Sequence, residues 1–417
     1  MAPGTWAEDP GMGDLLVVNI GELVTPRGRG ALRGSAMSKL FRLRDAYLKI
    51  CGGKVTGLGP MDKAPRDFPG EVLDVGGRVV TPGLVDPHTH LVFAGSRVEE
   101  FLRRARGERY TGGGILVTTE ATRAAGEDEL VELAIPRLKK MLRCGVTAVE
   151  AKSGYGLSSE AELKILRAIE VLSERVPQRV VPTFLGAHAF PPDYGREEYI
   201  DLIVEEMIPR VGQGKLARFC DVFCDKGFYT VDEARRILEE GKRHGLIPKL
   251  HADELAYVGA AELAAEVGAI SADHLLHVSD AGIKAMAEAG VVGVLLPGTA
   301  FVIDEPYPPA RKLIEAGVPV ALSTDFNPGS SPVLSMPFVM RLGVLKLKLA
   351  PEECLTAATL NAAAAIGLAG EVGSLEPGKA GDLVVWDLRG FRELFYWFGD
   401  DVAHRAVIAG EVVWASP

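Results

Sequence analysis

The chain has 417 residues, 47% of them hydrophobic and 24% charged, the balance of a globular protein with room for one large domain and a smaller one. A formal net charge of −10 argues against nucleic acid as a partner. No apolar run is long enough to span a bilayer, so no membrane partner is expected. The five cysteines form no tight framework, which suits a reducing cytoplasm.

The opening "MAPGTWAEDPGMG" has neither the basic start nor the apolar core of a secretion signal, so 1–13 reads as a frayed lead. From 14 to 80 the text is strand-like, with "DLLVVNIGELV", "AYLKICGGKVTGLG" and "EVLDVGGRVV" broken by glycine turns. The same texture returns over 373–417 in "GDLVVWDL" and "HRAVIAGEVVWA". The two ends predict one small β-sandwich domain assembled from both.

Residues 81–372 have another rhythm. Eight apolar runs alternate with helical stretches: "GLVDPHTHL", "VTAVEAKSG", "RVVPTFLGAH", "FCDVFCDKG", "IPKLHADE", "ISADHLLH", "VVGVLLPGT" and "VPVALSTDF". Near-continuous apolar runs are what parallel strands buried on both faces require. Ser159 with Glu162, and Thr230 with Glu233, read as capping boxes, and Gly290 as a helix C-cap. Cys220 and Cys224 share one strand face and read as small buried hydrophobes. The fold class is α/β, a (β/α)8 TIM-type barrel carrying the small β domain.

Active sites of such barrels lie at the C-terminal ends of the strands. The first run ends on His88 and His90, the third on His188, the fifth on His251 and Glu254, the sixth on His274 and the eighth on Asp325. Five of the chain's eight histidines therefore meet on one face, with His277 just beyond and only His244 and His404 elsewhere. Each alone has a plainer reading, such as a hydrogen-bonded strand end or, for Asp325, the start of a turn. Together, His88, His90, His251 and Asp325 offer three imidazoles and a carboxylate, a set for one Zn²⁺ or a similar divalent ion with room for a water. Glu254 and His274 stand where they can move protons. The alternatives are a helix N-terminal carboxylate for Glu254 and, for His274, a partner orienting a ligand.

This pattern resembles the amidohydrolase superfamily. Its two-metal members use a carboxylated lysine near the end of strand four. Lys226 stands near that place and is taken as an ordinary or substrate-side lysine, because Glu254 after His251 resembles the single-metal subtype; Lys152, on strand two, is not a candidate. At finer grain, "PGLVDPHTHLVFAGSR", "GGGI", "TRAA", "KSGYGL", "GAHAFPPDY", "HADE", "SADHL", "LLPGT" and "STDFNPGSSP" resemble the imidazolonepropionase family of histidine degradation, over about Leu84 to Gly378. "KSGYGL" and "STDFNPGSS" are the specific segments.

The resemblance implies hydrolytic opening of an imidazolone ring, with His88, His90, His251 and Asp325 on one Zn or Fe ion. It implies Glu254 and His274 as catalytic groups. It implies Arg97 on the substrate's carboxylate, and Tyr110, Tyr155, His188, Glu254, Asn327, Gly329 and Ser330 around the substrate. It also implies a homodimer. Without it, Arg97 reads as a solvated surface charge and Tyr155 as a packing tyrosine. The chain departs from the family pattern after Tyr110, where only Thr111 precedes "GGGI". Two rivals remain. One is another single-metal amidohydrolase, such as a purine- or pyrimidine-type ring deaminase, which would need no carboxylate clamp. The other is a non-catalytic scaffold, which would not need the ligands.

Overall fold

Strands form where the apolar runs predict them. The computed structural model describes residues 13–107, 114–400 and 402–416, so the expected lead over 1–12 lies outside the described residues. Five strands come first: β1 (Leu15–Thr25), β2 (Phe41–Cys51), β3 (Lys54–Pro60), β4 (Glu71–Asp74) and β5 (Val79–Pro82). The eight predicted barrel runs follow as β6 (Leu84–Asp86), β7 (Val146–Lys152), β8 (Arg179–Ala187), β9 (Phe219–Cys224), β10 (Ile247–Ala252), β11 (Ser271–His274), β12 (Val292–Leu295) and β13 (Val320–Leu322). β14 (Leu383–Trp386), β15 (Ala403–Ile408) and β16 (Glu411–Ala415) close the chain.

Strands β6 to β13 pair in sequence order, all parallel, with helices between them. Residues of β7, β9, β10, β11, β12 and β13 are buried throughout or nearly so, which is why those runs read as apolar without alternation. Register keeps the C-terminal ends level: Ala252 pairs with Cys224 on one side and His274 on the other. The seam between first and last strand closes beyond the regular ladder. Thr89 bridges Phe326, and the buried Asp86 carboxylate accepts from Thr324 N at 3.0 Å, Thr324 Oγ1 at 2.6 Å and the Ser323 hydroxyl.

The chain ends build one hydrogen-bonded sheet in the order β16-β15-β14-β5-β1-β2-β3, with β4 beside β1. Its apolar core takes Leu15, Val17 and Ile20 from the front of the chain and Leu383, Val385 and Val407 from the back. β5 runs straight into β6, and Gly83 between them lies so close to Thr147 that no Cβ would fit. Trp386 joins the two units: it is fully buried, packs into the barrel's core and donates Nε1–H to Thr81 Oγ1 at 2.8 Å.

Local signals divide. Helix Val231–Arg243 carries the expected capping box, with Glu233 N donating to Thr230 Oγ1 and Thr230 N to Glu233 Oε2. Gly290 ends helix Asp280–Ala289 at φ 80°. The Ser159–Glu162 box is not formed. The N-cap of helix Ser159–Arg175 is Ser158, without a side-chain cap bond. Glu162 instead turns inward and accepts from the amides of Gly154, Gly156 and Leu157, tying down the "KSGYGL" loop. A carboxylate one turn into a helix can serve either partner, and here the buried loop offers three donors. Cys220 and Cys224 are buried, and burial pushes the Cys224 thiol up to about 12. Among the described residues no helix is long and apolar enough to cross a membrane.

Candidate active site

At the C-terminal mouth of the barrel four side chains from three strand ends turn toward one point. His251 Nε2 lies 3.4 Å from His90 Nε2, and Asp325 Oδ1 lies 3.5 Å from His88 Nε2 and 3.6 Å from His90 Nε2. Ligands about 2.0–2.2 Å from a tetrahedral ion stand roughly 3.3–3.5 Å apart, so these spacings are those of a donor set. All four residues are at most 3% exposed. Burial drives protons off His88 and His90, holding both well below the ordinary imidazole range. Burial also pushes Asp325 up to about 7, against the pull of its bond from Thr299 Oγ1. Buried lone pairs converging on one point are expensive unless a cation satisfies them, so these residues could hold a metal ion.

The imidazoles are oriented from behind. His88 Nδ1 donates to Asp273 Oδ2 at 2.6 Å, which leaves Nε2 as the lone pair. His251 Nδ1 lies 3.1 Å from Asp221 Oδ2, though off the hydrogen-bond direction. Beneath these carboxylates sit Glu150, Lys152 and Lys249, all fully buried. The sequence reading missed this layer. Its signal was present: charges at alternate positions in otherwise apolar runs, Glu150 with Lys152 and Lys249 with His251, all facing the barrel interior.

A cavity opens above the donor set. It is lined by Arg97, Tyr155, His188, His251, Glu254, His274, Asp325, Asn327 and Ser330, with Ile115 and Phe223 as apolar walls. The structure thus brings together most of the predicted set. Ile115 and Phe223 carried no sequence signal beyond their apolar context.

Glu254 is not a helix N-terminal carboxylate, since the next helix starts at Ala260. It is buried, with its backbone N–H held by Asp225 Oδ2 at 2.6 Å, and burial plus the charge of Asp325 push its carboxyl well above the usual range. Its Oε1 lies 3.5 Å from His274 Nδ1. Strand alternation would aim His274 away from the interior that Asp273 faces. The chain turns left-handed there, with φ 77° at His274 and 62° at Leu275, and the ring lines the cavity. Among the described residues neither ring nitrogen of His274 has a hydrogen-bond partner, and one lies within 4.8 Å of the ligand atoms of His88 and Asp325.

The other wall is built around Arg97. It is 5% exposed, which excludes a solvated surface charge. Its Nε and Nη2 donate to the two oxygens of Glu100 at 2.7 and 2.8 Å. Gly114 and Gly329 pack directly against the guanidinium, and a Cβ at either would collide with it. Asn327 spends its side chain on its own loop: Oδ1 accepts from the amides of Gly329, Ser330 and Ser331, while Nδ2 donates to the Asp325 carbonyl at 2.7 Å. His188 Nδ1 lies 2.9 Å from the Gly154 carbonyl and must donate there, so Nε2 is an acceptor; burial pushes the ring down to about 3. Tyr155 stands between, its ring 5.8 Å from that of His90 and 5.3 Å from that of His188. Tyr110 lies outside the described residues. Lys226 is exposed and lines no part of this cavity, so of its two readings the ordinary lysine fits.

Comparison with known proteins shows the family. The model of the Amidohydrolase family matches residues 79–413. A relative named imidazolonepropionase from Geobacillus kaustophilus is 50% identical over 416 residues, covering 96% of this chain and 98% of its own. Another from Shouchella clausii is 54% identical over 350 residues, 82% of this chain and 78% of its own. The chain belongs to the amidohydrolase family, among the imidazolonepropionases. It is therefore a hydrolytic enzyme with a metal cofactor, acting on a small molecule. Solved structures share the fold at low identity. A zinc-bound adenosine deaminase from Xanthomonas campestris has a TM-score of 0.73 at 21% identity, covering 96% of this chain and 92% of its own. A zinc complex of atrazine chlorohydrolase from Arthrobacter aurescens has 0.72 at 19%, covering 95% and 94%.

Proposed function

We propose that the chain opens the ring of 4-imidazolone-5-propanoate by adding water across its C–N bond, giving N-formimidoyl-L-glutamate in L-histidine degradation. The observation that carries this reading is the pairing of the His88–His90–His251–Asp325 donor set with a buried arginine that lines the same cavity as His251 and Asp325. A ring deaminase of neutral substrates has use for the first and none for the second.

A divalent ion held by His88, His90, His251 and Asp325, zinc or iron, would supply Lewis acidity and ease the ionisation of water. The protein's own groups do the rest. Arg97, held by Glu100 and wedged between Gly114 and Gly329, sets its guanidinium against the substrate's propionate. His188, neutral and with Nε2 as acceptor, takes a hydrogen bond from a ring N–H rather than giving one to the ring oxygen. Tyr155 packs beside the ring. Asn327 shapes the loop that brings Gly329 and Ser330 to the substrate. Glu254, with its raised pKa, suits a group that takes a proton from the attacking water and returns it to the leaving ring nitrogen. The water's oxygen ends on the carbonyl carbon, its proton on the nitrogen, and the C–N bond breaks. His274, beside Glu254, donates to the oxygen on which charge develops. Tyr110 completes the proposed substrate set.

The barrel boundary at 81–372, the homodimer and the cytoplasm belong to the same proposal. The test is a substrate panel on the metal-loaded protein. The proposal expects turnover of the imidazolone acid and little of neutral purine and pyrimidine rings. Preferred deamination of a neutral ring would replace it.

A further inference from the structure

Lys152 opens the "KSGYGL" segment, and the reaction above gives it no task. Its ammonium is fully buried inside the barrel. Taking an ammonium out of water costs several kcal/mol unless close partners offset it. Three carboxylates do so: Nζ lies 2.7 Å from Asp221 Oδ2, 2.9 Å from Glu150 Oε1 and 3.8 Å from Asp273 Oδ2. Burial pushes Lys152 down, but Asp221, Glu150 and Asp273 outweigh it and hold the ammonium above its usual range.

The three partners differ in what else holds them. Asp273 is anchored without Lys152, because Ser271 Oγ donates to its Oδ1 at 2.6 Å and His88 Nδ1 to its Oδ2. Glu150 has Thr183 Oγ1 at 2.5 Å and Lys249 at 3.3 Å. For Asp221 the bond from Lys152 is the anchor: its Oδ1 has no hydrogen-bond partner among the described residues. The oxygen that Lys152 holds, Oδ2, is also the one 3.1 Å from His251 Nδ1. A single ammonium thus fixes the carboxylate that stands behind one imidazole of the donor set.

We propose that Lys152 is a positioning residue for the metal site, acting through Asp221 on His251. The inference rests on the reading of His88, His90, His251 and Asp325 as the metal ligands. Without the ammonium, Asp221 is free to rotate about its side chain, and His251 loses the carboxylate that packs 3.1 Å behind its Nδ1 and supports the ring from below. Groups behind a metal ligand typically carry about ten- to hundredfold in affinity.

The experiment measures the zinc dissociation constant of the full chain by competition with a chromophoric chelator, for wild type, Lys152→Met, Asp221→Asn and the double variant. Each single variant is expected to weaken zinc about ten- to hundredfold, and the double no further than the weaker single, because both remove one link. Lys249→Met is the control for losing a buried cation; its contacts lie at 3.3 Å or more and miss Asp221, so zinc affinity is expected to change less. A lower thermal midpoint of metal-free Lys152→Met with wild-type zinc affinity would reduce Lys152 to a structural ion pair. Multiplying losses in the double would also overturn the route through Asp221. If Lys152→Met fails to fold, Lys152→Gln, which keeps a donor for Asp221 but loses the charge, is expected to fold and bind zinc more weakly than wild type and more tightly than Asp221→Asn; wild-type affinity in Lys152→Gln would overturn the proposal. Absence of zinc binding by wild type would defeat the ligand reading itself, a result distinct from all of these.

Discussion

His88, His90, His251 and Asp325 stand at the ends of three barrel strands and are braced from below by Asp273, Asp221 and Thr299. Arg97 stands at the start of helix Val98–Ala105, whose apolar residues Val98, Phe101 and Leu102 are 58%, 42% and 41% exposed. The first half is set by the sheet, several side chains deep. Among the described residues the second is set by a loop, an ion pair with Glu100 and the close packing of Gly114 and Gly329. Strand ends are rigid, so the donor set is built where geometry cannot drift; the proposed recognition of the substrate's acid tail is left to a segment that can vary without disturbing the barrel.

The comparison can be broken most strongly from the metal side. His251→Ala or Asp325→Ala should leave purified protein with little metal and no measurable turnover; full metal content in either would remove that residue from the donor set. Next, Glu254→Gln should keep its metal while kcat falls about 10²- to 10⁴-fold. A kcat near wild type, with metal measured in the same sample, would end its role as proton carrier.

Changes on the arginine side should be gentler and appear in KM. Arg97→Ala removes charge-assisted bonds worth about 1.5–3 kcal/mol, so kcat/KM should fall roughly ten- to hundredfold while metal content stays. Equal loss on the propionate and on its uncharged amide would show that Arg97 does not read the carboxylate. Gly329→Ala should raise KM by forcing the guanidinium aside, and Glu100→Gln less so, since one of two bonds to Arg97 remains. A kcat loss without a KM change in either would place Arg97 in the chemical step and erase the division between the halves.

The same division explains what the sequence made legible. A histidine that ends an apolar run is visible on its own, and five at one barrel mouth needed no partner to be noticed. The eight strands were legible for the same reason, because burial on both faces leaves a one-dimensional trace. Glu150, Lys152, Asp221, Lys249 and Asp273 left only single charges in separate runs. Their meaning comes from the closure of the barrel, which brings residues from four strands within ion-pair distance. The role of Glu162 was hidden because it depends on which donors the loop at 154–157 presents. His274 was placed at the right strand end, but its aim toward the cavity comes from a left-handed turn that no residue type announces. The pairing of Arg97 with Glu100 was open to reading, three residues apart, and was missed because the helix start between them was not anticipated.

The most direct test adds 4-imidazolone-5-propanoate to the purified protein, with metal content determined in parallel, and follows loss of the ring's ultraviolet absorbance together with formation of N-formimidoylglutamate. Rapid loss with stoichiometric product, abolished when the metal is stripped and restored on its return, is the predicted result. Persistence of the substrate in a protein carrying its full complement of metal would contradict the account and assign the barrel to another ring.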